Sequence, residues 1–522
     1  MTMLQPYFVP AVVALAVALR LVFSVCSTWI HARKARQMGC KEAPLYPGRD
    51  PFGISTLMEA VHADRAKTLP QLAEKRISLL SEEHNRYIST FRVHQVGRRN
   101  IFTVDPKNIQ AMLATQFNDF SLGDMRRNVA RPVLRGGIFT SDGEAWSHSR
   151  SLLRPQFTRM QMSNLDVEER HVQNAFRAMP TVDNRWTSGV DIQKIFFRLT
   201  IDSATEFLFG KSCDSQLAAL DHNSEIMSDN FDRCTWYLAA RLRFERLYWV
   251  MDNHEFRQSV GIVHQFVDRY VQEALERAQH EKKPRDIETP SSQYIFLDAL
   301  AEETKDPIEL RDESLSVLLA GRDTTAALLS WTVLLLARHP DIFTRLRNTV
   351  LEQFGTYNNP QNLSFASLKS CQYLQHFINE TLRLYPVIPF NRRCAIRDTT
   401  LPRGGGPDGM SPVYLQKGQP VLFSPYVLHR RKDIWGSDAD KFDPDRWASK
   451  RVTWEFVPFS GGPRTCIGQQ FALIKTSYVL VRLLQRFDAI EDVHADQDIR
   501  FAVTLTSSPA ESVTVRMHEA GI

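Results

Sequence analysis

The chain has 522 residues, of which 43% are hydrophobic and 24% are charged, and its formal net charge is +5. This is the composition of a globular protein with enough apolar material for a large core. The net charge is small for this length, and no Lys/Arg-rich block is interleaved with aromatic residues. Nucleic acid is therefore not expected as a partner.

The cysteines are odd in number and none of them forms a CxxC pair. A disulfide framework or a structural zinc site is therefore not expected, and a reducing compartment is favoured. The seven positions are Cys26, Cys40, Cys213, Cys234, Cys371, Cys394 and Cys466.

An apolar stretch, YFVPAVVALAVALRLVFSVCSTWI, occupies residues 7–30 and is interrupted only by Arg20. It is long enough to cross a bilayer core of ~30 Å. A cleaved signal peptide is the competing interpretation, but no basic residue precedes the stretch, whereas basic residues cluster after it at 31–36. By the positive-inside rule we predict residues 1–30 as an uncleaved transmembrane helix, with the rest of the chain in the cytosol.

Residues 31–53 combine this basic run with the Gly- and Pro-rich GCKEAPLYPGRDPFG, and we predict them as a linker. Residues 54–522 contain no repeat and no low-complexity linker, which favours a single further domain. Within it, the polar residues 281–292 are predicted as a surface loop, and the Gly-rich residues 404–409 as a turn between strands.

Most of this domain has the apolar periodicity of helices. The longest predicted helix covers residues 307–339, with Pro307 in its first turn and Pro340 ending it. Short strand-like runs lie at 419–428 and 512–517. The expected fold class is mainly α with small β-sheets.

One cysteine lies in an unusual loop, PFSGGPRTCIGQQ, at residues 458–470. Apolar residues recur at helical spacing directly after it, so Cys466 is predicted at a helix N-terminus, where the helix dipole stabilises a thiolate. A buried, inert cysteine is one interpretation. A catalytic nucleophile is another, although no histidine lies nearby in sequence. A lone thiolate ligand suits a metal held in a macrocycle, which is haem.

The run from Phe459 to Gly468 resembles, in full, the cysteine-ligand loop F-x-x-G-x-R-x-C-x-G of the cytochrome P450 family. The resemblance implies a cytochrome P450 fold with haem b as cofactor, residues 54–522 being the haem-thiolate domain. Cys466 would be the axial ligand of the iron. Arg464 would pair with a haem propionate, and Phe459 would pack beside the sulfur side of the ring. A thiolate ligand favours O–O cleavage at the metal.

A second motif, AGRDTT at residues 320–325, lies in the middle of the long predicted helix. Gly321 weakens the helix by ~1 kcal/mol relative to alanine. Thr324 and Thr325 can donate hydrogen bonds to the preceding turn and bend it. The stretch resembles the family's oxygen-activating pattern, which implies that Asp323 and Thr324 relay protons to bound oxygen.

Three further patterns are similar to the family's. The resemblance assigns Trp146, Arg150 and Arg393 to the haem propionates. ETLR at residues 380–383 and FDPDRW at 442–447 resemble the segments that supply its buried structural triad. The implied members of that triad are Glu380, Arg383 and Arg446.

Longer stretches, including GIFTSDGEAWSHSRSLLRPQF and GQQFALIKTSYVLVRLLQRF, resemble the fungal cytochromes P450 that hydroxylate alkanes and fatty acids. The implied reaction inserts one oxygen atom into a terminal or near-terminal C–H bond of a long aliphatic chain. Electrons would come from an NADPH-cytochrome P450 reductase, for which Lys450 and Arg451 are candidate contacts. The implied setting is the membrane of the endoplasmic reticulum, with the lipid bilayer and a hydrophobic small molecule as partners.

Three alternatives remain open from the sequence. The first is a monooxygenase that tailors a fungal secondary metabolite of polyketide, terpenoid or lipid origin. The second is an enzyme that rearranges hydroperoxides, against which the intact Asp323–Thr324 pair argues. The third is a haem-binding sensor without turnover. Residues 117–129 and 234–250 would line the pocket by family analogy, and arginines in the second region could hold a substrate carboxylate.

Overall fold

The computed structural model describes residues 5–157, 165–217, 226–280 and 294–521. The polar stretch at 281–292, predicted as a surface loop, lies outside these residues. None of the seven cysteines forms a disulfide, in agreement with the expectation from their spacing.

Helices dominate the described chain, and the predicted mainly α class is confirmed. The α-helices are α1 Gln5–Gln37, α2 Ile54–Arg65, α3 Leu69–Glu83, α4 Pro106–Gln110, α5 Asp124–Leu134, α6 Gly143–Leu153, α7 Leu165–Arg177, α8 Ile192–Phe209, α9 Ile226–Phe244, α10 His254–His280, α11 Phe296–Glu303, α12 Pro307–Arg338, α13 Pro340–Phe354, α14 Phe365–Ser370, α15 Gln372–Leu384, α16 Pro425–Leu428, α17 Lys432–Trp435, α18 Arg446–Ser449 and α19 Gln469–Arg486. Short 3-10 or π turns are Ala111–Thr115, Phe117–Asp119, Arg154–Phe157, Glu245–Met251 and Gly462–Arg464.

The strands form small sheets at the edge of the helical body. They are β1 Thr90–Gln95, β2 Arg98–Thr103, β3 Phe120–Ser121, β4 Thr181–Asp183, β5 Trp186–Thr187, β6 Val190–Asp191, β7 Asn391–Ala395, β8 Thr399–Gly405, β9 Ser411–Leu415, β10 Pro420–Phe423, β11 Phe487–Asp492, β12 Phe501–Val503, β13 Ser507–Pro509 and β14 Thr514–Glu519. One sheet has the order β1-β2-β10-β7-β3 and another β11-β14-β5-β4, with β6 beside β14. β8 pairs with β9 and β12 with β13.

α12 crosses the core and positions the site. Its start is fixed by Asp306, whose side chain accepts a hydrogen bond from the amide of Ile308, and by Pro307 in the first turn. It ends at Arg338 because Pro340 follows. The helix is buried along most of its length and packs against α8 and α19. The predicted long helix at 307–339 is confirmed.

The strand predictions were partly wrong. Of residues 419–428, only Pro420–Phe423 form a strand, and Pro425–Leu428 turn into α16. Ser424 caps that helix by accepting a hydrogen bond from the amide of Val427 at 3.2 Å, a start signal that the apolar pattern hid. The second run is confirmed as β14, shifted to Thr514–Glu519. The Gly-rich residues 404–409 do connect β8 to β9.

The predicted anchor and linker are described from Gln5 onward. The apolar stretch lies within α1, which has 33 residues. None of the helices in the described residues meets the length and apolarity that a membrane span requires. The linker contacts the body from its first residue, since His31 Nδ1 lies 2.9 Å from the hydroxyl of Tyr414 and Lys34 pairs with Asp398 at 2.6 Å. The amide of Lys41 then donates to the carbonyl of Pro412 at 2.9 Å. Further along, Tyr46 is buried and its amide donates to the carbonyl of Arg92 at 2.8 Å.

Candidate active site

The Cys466 loop, residues 457–468, contains the 3-10 turn Gly462–Arg464 and leads directly into α19. The amide of Cys466 donates to the carbonyl of Phe459 at 3.0 Å, which closes the loop on itself. Cys466 therefore lies just before the first turn of α19, as predicted. Phe459 is half-buried against the main apolar core, and its carbonyl also accepts from the hydroxyl of Thr465 at 3.5 Å.

Close packing explains the glycines of this loop. Gly462 has φ +65°, and a Cβ atom there would overlap the carbonyl oxygen of Leu113. A Cβ on Gly461 would lie 2.6 Å from the ring of Trp454. Only glycine fits at these two positions, so close packing restricts the loop to one backbone conformation.

Opposing effects act on the pKa of the Cys466 thiol. Burial raises its pKa, whereas the amide of Gly468 and the charge of Arg150 lower it. The predicted thiolate-stabilising contacts are thus present, but the protein alone keeps the pKa above its ordinary value. The side chain is nevertheless solvent-accessible. Both properties are expected of a sulfur that lines an internal cavity, and a bound metal would deprotonate it.

Arginines gather beside this loop. Arg464 donates to Asp142 Oδ1 at 2.7 Å and to the carbonyl of Ser141 at 2.9 Å, and its guanidinium lies 4.4 Å from the ring centroid of Trp146. Arg150 donates to the carbonyl of Thr465, next to Cys466, at 3.0 Å.

Arg393 is buried, and its Nε has no hydrogen-bond partner in the described residues. Burial and the charges of Arg126 and Arg464 lower the pKa of Arg393 to about 9. Burial lowers the pKa of Arg126 and of Arg464 to about 10. All three guanidinium groups share one nearby carboxylate, Asp142. This excess of buried positive charge favours an anionic ligand.

These residues fit haem. A thiol at a helix N-terminus matches the axial ligand, and the arginine cluster with its unpartnered Nε matches two propionates. The structure thus brings Trp146, Arg150, Arg464 and Cys466 together, with Arg393 beside them. Arg126 was missed. Its only signal was the tandem arginine pair in DMRR at residues 124–127, and sequence alone does not show which arginine points inward.

The motif AGRDTT, residues 320–325, lies in the middle of α12. Asp323 is buried and pairs with Arg322 at 2.9 Å, and Arg322 also contacts Asp232 on α9. Burial raises the pKa of Asp323, and Arg322 opposes that shift. The side chain of Asp232 is 54% exposed, so the buried acid is linked to the surface through one arginine.

The two threonines of the motif differ. Thr324 Oγ1 donates to the carbonyl of Ala320 at 2.6 Å, as predicted. The same prediction was wrong for Thr325, whose buried hydroxyl has no partner in the described residues.

One face of α12 is accessible although its neighbours are buried. The half-exposed residues Val317, Ala320, Gly321 and Thr324 are spaced as one helix face. A Cβ added to Gly321 would meet no atom within 4 Å. Val317 and Ile467, which follows Cys466, pack against the same apolar cluster. Gly321 therefore faces open space on a mostly apolar surface of the site.

The predicted structural triad is assembled. Arg383 donates from Nε and Nη2 to the carboxylate of Glu380, both at 2.8 Å, and both side chains are fully buried. Arg446 lies 3.5 Å from Glu380 and pairs with Asp438 at 2.9 Å. Glu380 also accepts from the indole of Trp447 at 3.0 Å. The triad therefore ties α15 to α18.

Comparison with known proteins agrees with this geometry. The cytochrome P450 family model matches residues 66–512. Cytochrome P450 monooxygenase g430 of Fusarium sp is 48% identical over 95% of this chain and 88% of its own length. Monooxygenase alt2 of Alternaria solani is 42% identical over 92% and 91%. Cytochrome P450 52A1 of Candida tropicalis is 40% identical over 98% and 94%. The predicted resemblance to fungal cytochromes P450 is confirmed.

Proposed function

The chain belongs to the cytochrome P450 family and is a monooxygenase, and we propose that it hydroxylates long-chain alkanes or fatty acids at or near the terminal carbon. The Cys466 loop carries the oxygen chemistry of this proposal, because its cysteine and glycines, together with the arginine cluster beside it, fit a haem thiolate site. Family membership implies a haem iron cofactor, which we assign as haem b. When bound, it supplies the oxygen activation.

The residues proposed to hold the haem have separate tasks. Cys466 would be the axial ligand, with Phe459 packed on the sulfur side. Trp146, Arg150, Arg393 and Arg464, together with Arg126, would neutralise the propionates. Here the arginines contribute charge, since they have too few acidic partners of their own.

Asp323 and Thr324 are proposed to handle protons. Burial raises the pKa of Asp323, which brings proton exchange at this carboxyl group closer to neutral pH. Thr324 Oγ1 carries a proton that is now donated to the carbonyl of Ala320 and can be redirected by rotation about χ1. The gap above Gly321 leaves room for a small molecule beside these groups.

The substrate proposal rests on the apolar face of α12 and on similarity to the Candida protein. A specific observation favours the alternative, tailoring of a fungal secondary metabolite. The Fusarium protein is 48% identical to this chain, whereas cytochromes P450 52A10 and 52A5 of Candida maltosa are each 44% identical and the Alternaria protein is 42% identical. Because one fold accepts many substrates through changes in its pocket, identity alone does not choose between them.

The proposed reductase contact rests on basic residues at the surface. An NADPH-cytochrome P450 reductase would dock on the face that carries Arg451, which is exposed. Lys450 suits this role less, because its ammonium group contacts the carbonyl of Ile434 and lies 5.1 Å from the ring centroid of Trp435.

α1 carries exposed apolar side chains at Leu19, Val22, Phe23, Val25 and Trp29. We propose residues 1–30 as an anchor to the membrane of the endoplasmic reticulum, a proposal that rests on these side chains and on the apolar sequence, since α1 as described does not meet the criteria of a membrane span. Residues 31–53 would then join it to the catalytic domain, residues 54–522, on the cytosolic side.

The test uses membranes that contain the full chain, a fungal reductase and NADPH. Alkanes and fatty acids of graded length are supplied, and product positions are determined by mass spectrometry. We expect terminal or near-terminal hydroxylation with wild type and with Cys40→Ala, and none with Cys466→Ala. Haem-loaded wild type that oxidises none of these chains would contradict the lipid proposal and favour metabolite tailoring.

A further inference from the structure

His429, at the end of α16, lies between the buried triad and the Cys466 loop. It is completely buried, and its ring centroid lies 5.0 Å from that of Phe456. Its backbone carbonyl accepts a hydrogen bond from Nη1 of Arg383 at 2.9 Å. The same guanidinium donates to the carbonyls of Ala439 at 2.6 Å and Lys441 at 3.0 Å. The backbone of His429 is thus fixed by the charged pair of the triad.

The imidazole of His429 is fixed on its other side by the loop. The amide of Val457 donates to Nε2 of His429 at 3.0 Å. An amide can only donate, so Nε2 must carry a lone pair and the ring proton must be on Nδ1. Burial, together with the charges of Arg383 and Arg430, lowers the pKa of His429 to about 3. The ring therefore stays neutral, the form that this hydrogen bond needs.

Val457 is the first residue of the Cys466 loop. Its carbonyl accepts from the amide of Ser460 at 3.1 Å. Ser460 has φ +62°, an uncommon conformation for a residue with a side chain. The carbonyl of Phe459 then accepts from the amide of Cys466. A continuous chain of bonds thus runs from Glu380 and Arg383, through His429, to the residue that bears the sulfur.

We propose that His429 is a positioning residue that transmits the rigidity of the Glu380–Arg383 pair to the Cys466 loop and so fixes the place of the sulfur. Its neutral imidazole is the only side chain in the described residues that accepts a hydrogen bond from the amide of Val457. Without that bond, nothing in the triad would hold the start of the loop. The proposal rests on Cys466 as the thiolate ligand.

The test compares His429→Phe with His429→Gln and Trp435→Phe in the full-length holoprotein. Phenylalanine keeps the ring but has no acceptor, whereas the carbonyl oxygen of glutamine can reach the position of Nε2. Trp435 is the matched control. It is buried beside Arg383, donates to the carbonyl of Leu428 at 3.2 Å and packs edge-on against Phe456, but it makes no hydrogen bond to Val457.

Two readouts are used. Amide hydrogen exchange of the segment 453–460 reports the bond to Val457 and should be about tenfold faster in His429→Phe. The absorption band of the reduced carbonyl complex reports whether a thiolate is still the axial ligand. We expect partial loss of the thiolate band in His429→Phe, recovery of both readouts in His429→Gln, and no change of either in Trp435→Phe.

Equal exchange in His429→Phe and Trp435→Phe, or an unchanged thiolate band in His429→Phe, would overturn the proposal. If His429→Phe does not fold, His429→Asn replaces it, because asparagine is too short to reach the amide of Val457. Equal readouts for the Asn and Gln variants would then overturn it. A thiolate band that persists in Cys466→Ala would instead contradict the proposed ligand, with the exchange result unaffected.

Discussion

In the Cys466 loop the backbone is closely packed, whereas the middle of α12 is continuous helix with open space beside Gly321. The amide of Cys466 is bonded to Phe459, and Gly462 has no room for a Cβ atom. On α12, a Cβ on Gly321 would meet nothing within 4 Å, and the hydroxyl of Thr324 donates a hydrogen bond to the carbonyl of Ala320. The closely packed loop and the open face of α12 contact the same apolar cluster through Ile467 and Val317. This arrangement suits the proposed site, in which a metal would stay fixed while small molecules change.

Gly462→Ala should have the largest effect, because the added methyl group overlaps the carbonyl of Leu113 in a left-handed conformation. We expect no haem-loaded protein. Gly418→Ala is the control, since Gly418 has φ +81° but no atom within 4 Å of its added Cβ. The free energy of unfolding of that variant should fall only by the conformational cost, roughly 1–2 kcal/mol. Haem content and the denaturant midpoint are measured for both variants. Equal losses of haem and stability in Gly462→Ala and Gly418→Ala would show that close packing does not fix the loop.

Arg383→Leu should come next, because it leaves Glu380 buried without its bidentate partner. Breaking a buried pair in this way costs about 3–5 kcal/mol. Arg345→Leu removes a pair with Asp445 in which each side chain is 55% exposed, and should cost at most about 1 kcal/mol. Denaturant unfolding measures both changes. A similar loss in the two variants would mean that the triad does not anchor the loop.

The place of Cys466 before a helix was predictable because the apolar periodicity of α19 follows it directly in sequence. The contacts that fix the loop were not, since Arg464 and Asp142 are 322 positions apart and Arg150 and Thr465 are 315 apart. The long helix was also predictable, since its capping residue and terminal prolines are adjacent to its ends. Arg126 and His429 could not be found this way. Arg126 gains its significance from residues hundreds of positions away, such as Arg393 on β7. His429 gains its own from Arg383 and Val457, which are 46 and 28 positions away. The link from Arg322 to Asp232 likewise spans 90 positions. The roles assigned to the site residues stay predictions.

Glu313 extends the comparison to the first half of α12, where the helix holds a loop rather than leaving space. It is 1% exposed, accepts from the amide of Ile138 at 3.3 Å, and lies near Glu309 and Asp312. Burial raises its pKa from 4.5 to about 7. The native state therefore binds this proton more tightly, and stability falls as pH rises from 4.5 to about 7.

Glu313→Gln should flatten that decline. The amide keeps an acceptor for Ile138 and does not ionise. We expect the variant to be about as stable as wild type near pH 5. Near pH 8 its free energy of unfolding should exceed that of wild type by up to roughly 3 kcal/mol. Thermal unfolding of the holoprotein across this range measures the effect. Parallel pH profiles for the variant and wild type would show that Glu313 titrates normally.

Thr324→Val should have the smallest effect on folding and a selective effect on turnover. It removes a hydroxyl from the accessible face of α12 but keeps the shape of the side chain, so we expect about tenfold less product per NADPH consumed. Thr325→Val is the matched control, because the hydroxyl of Thr325 is buried without a partner in the described residues. Its removal should leave coupling unchanged and stability equal or higher, since a buried unpaired hydroxyl is unfavourable. Product yield and NADPH consumption, measured together for both variants, give the coupling ratio that tests this prediction. If both valine variants lost coupling equally, the site would depend on the general packing of α12 and not on the proton of Thr324.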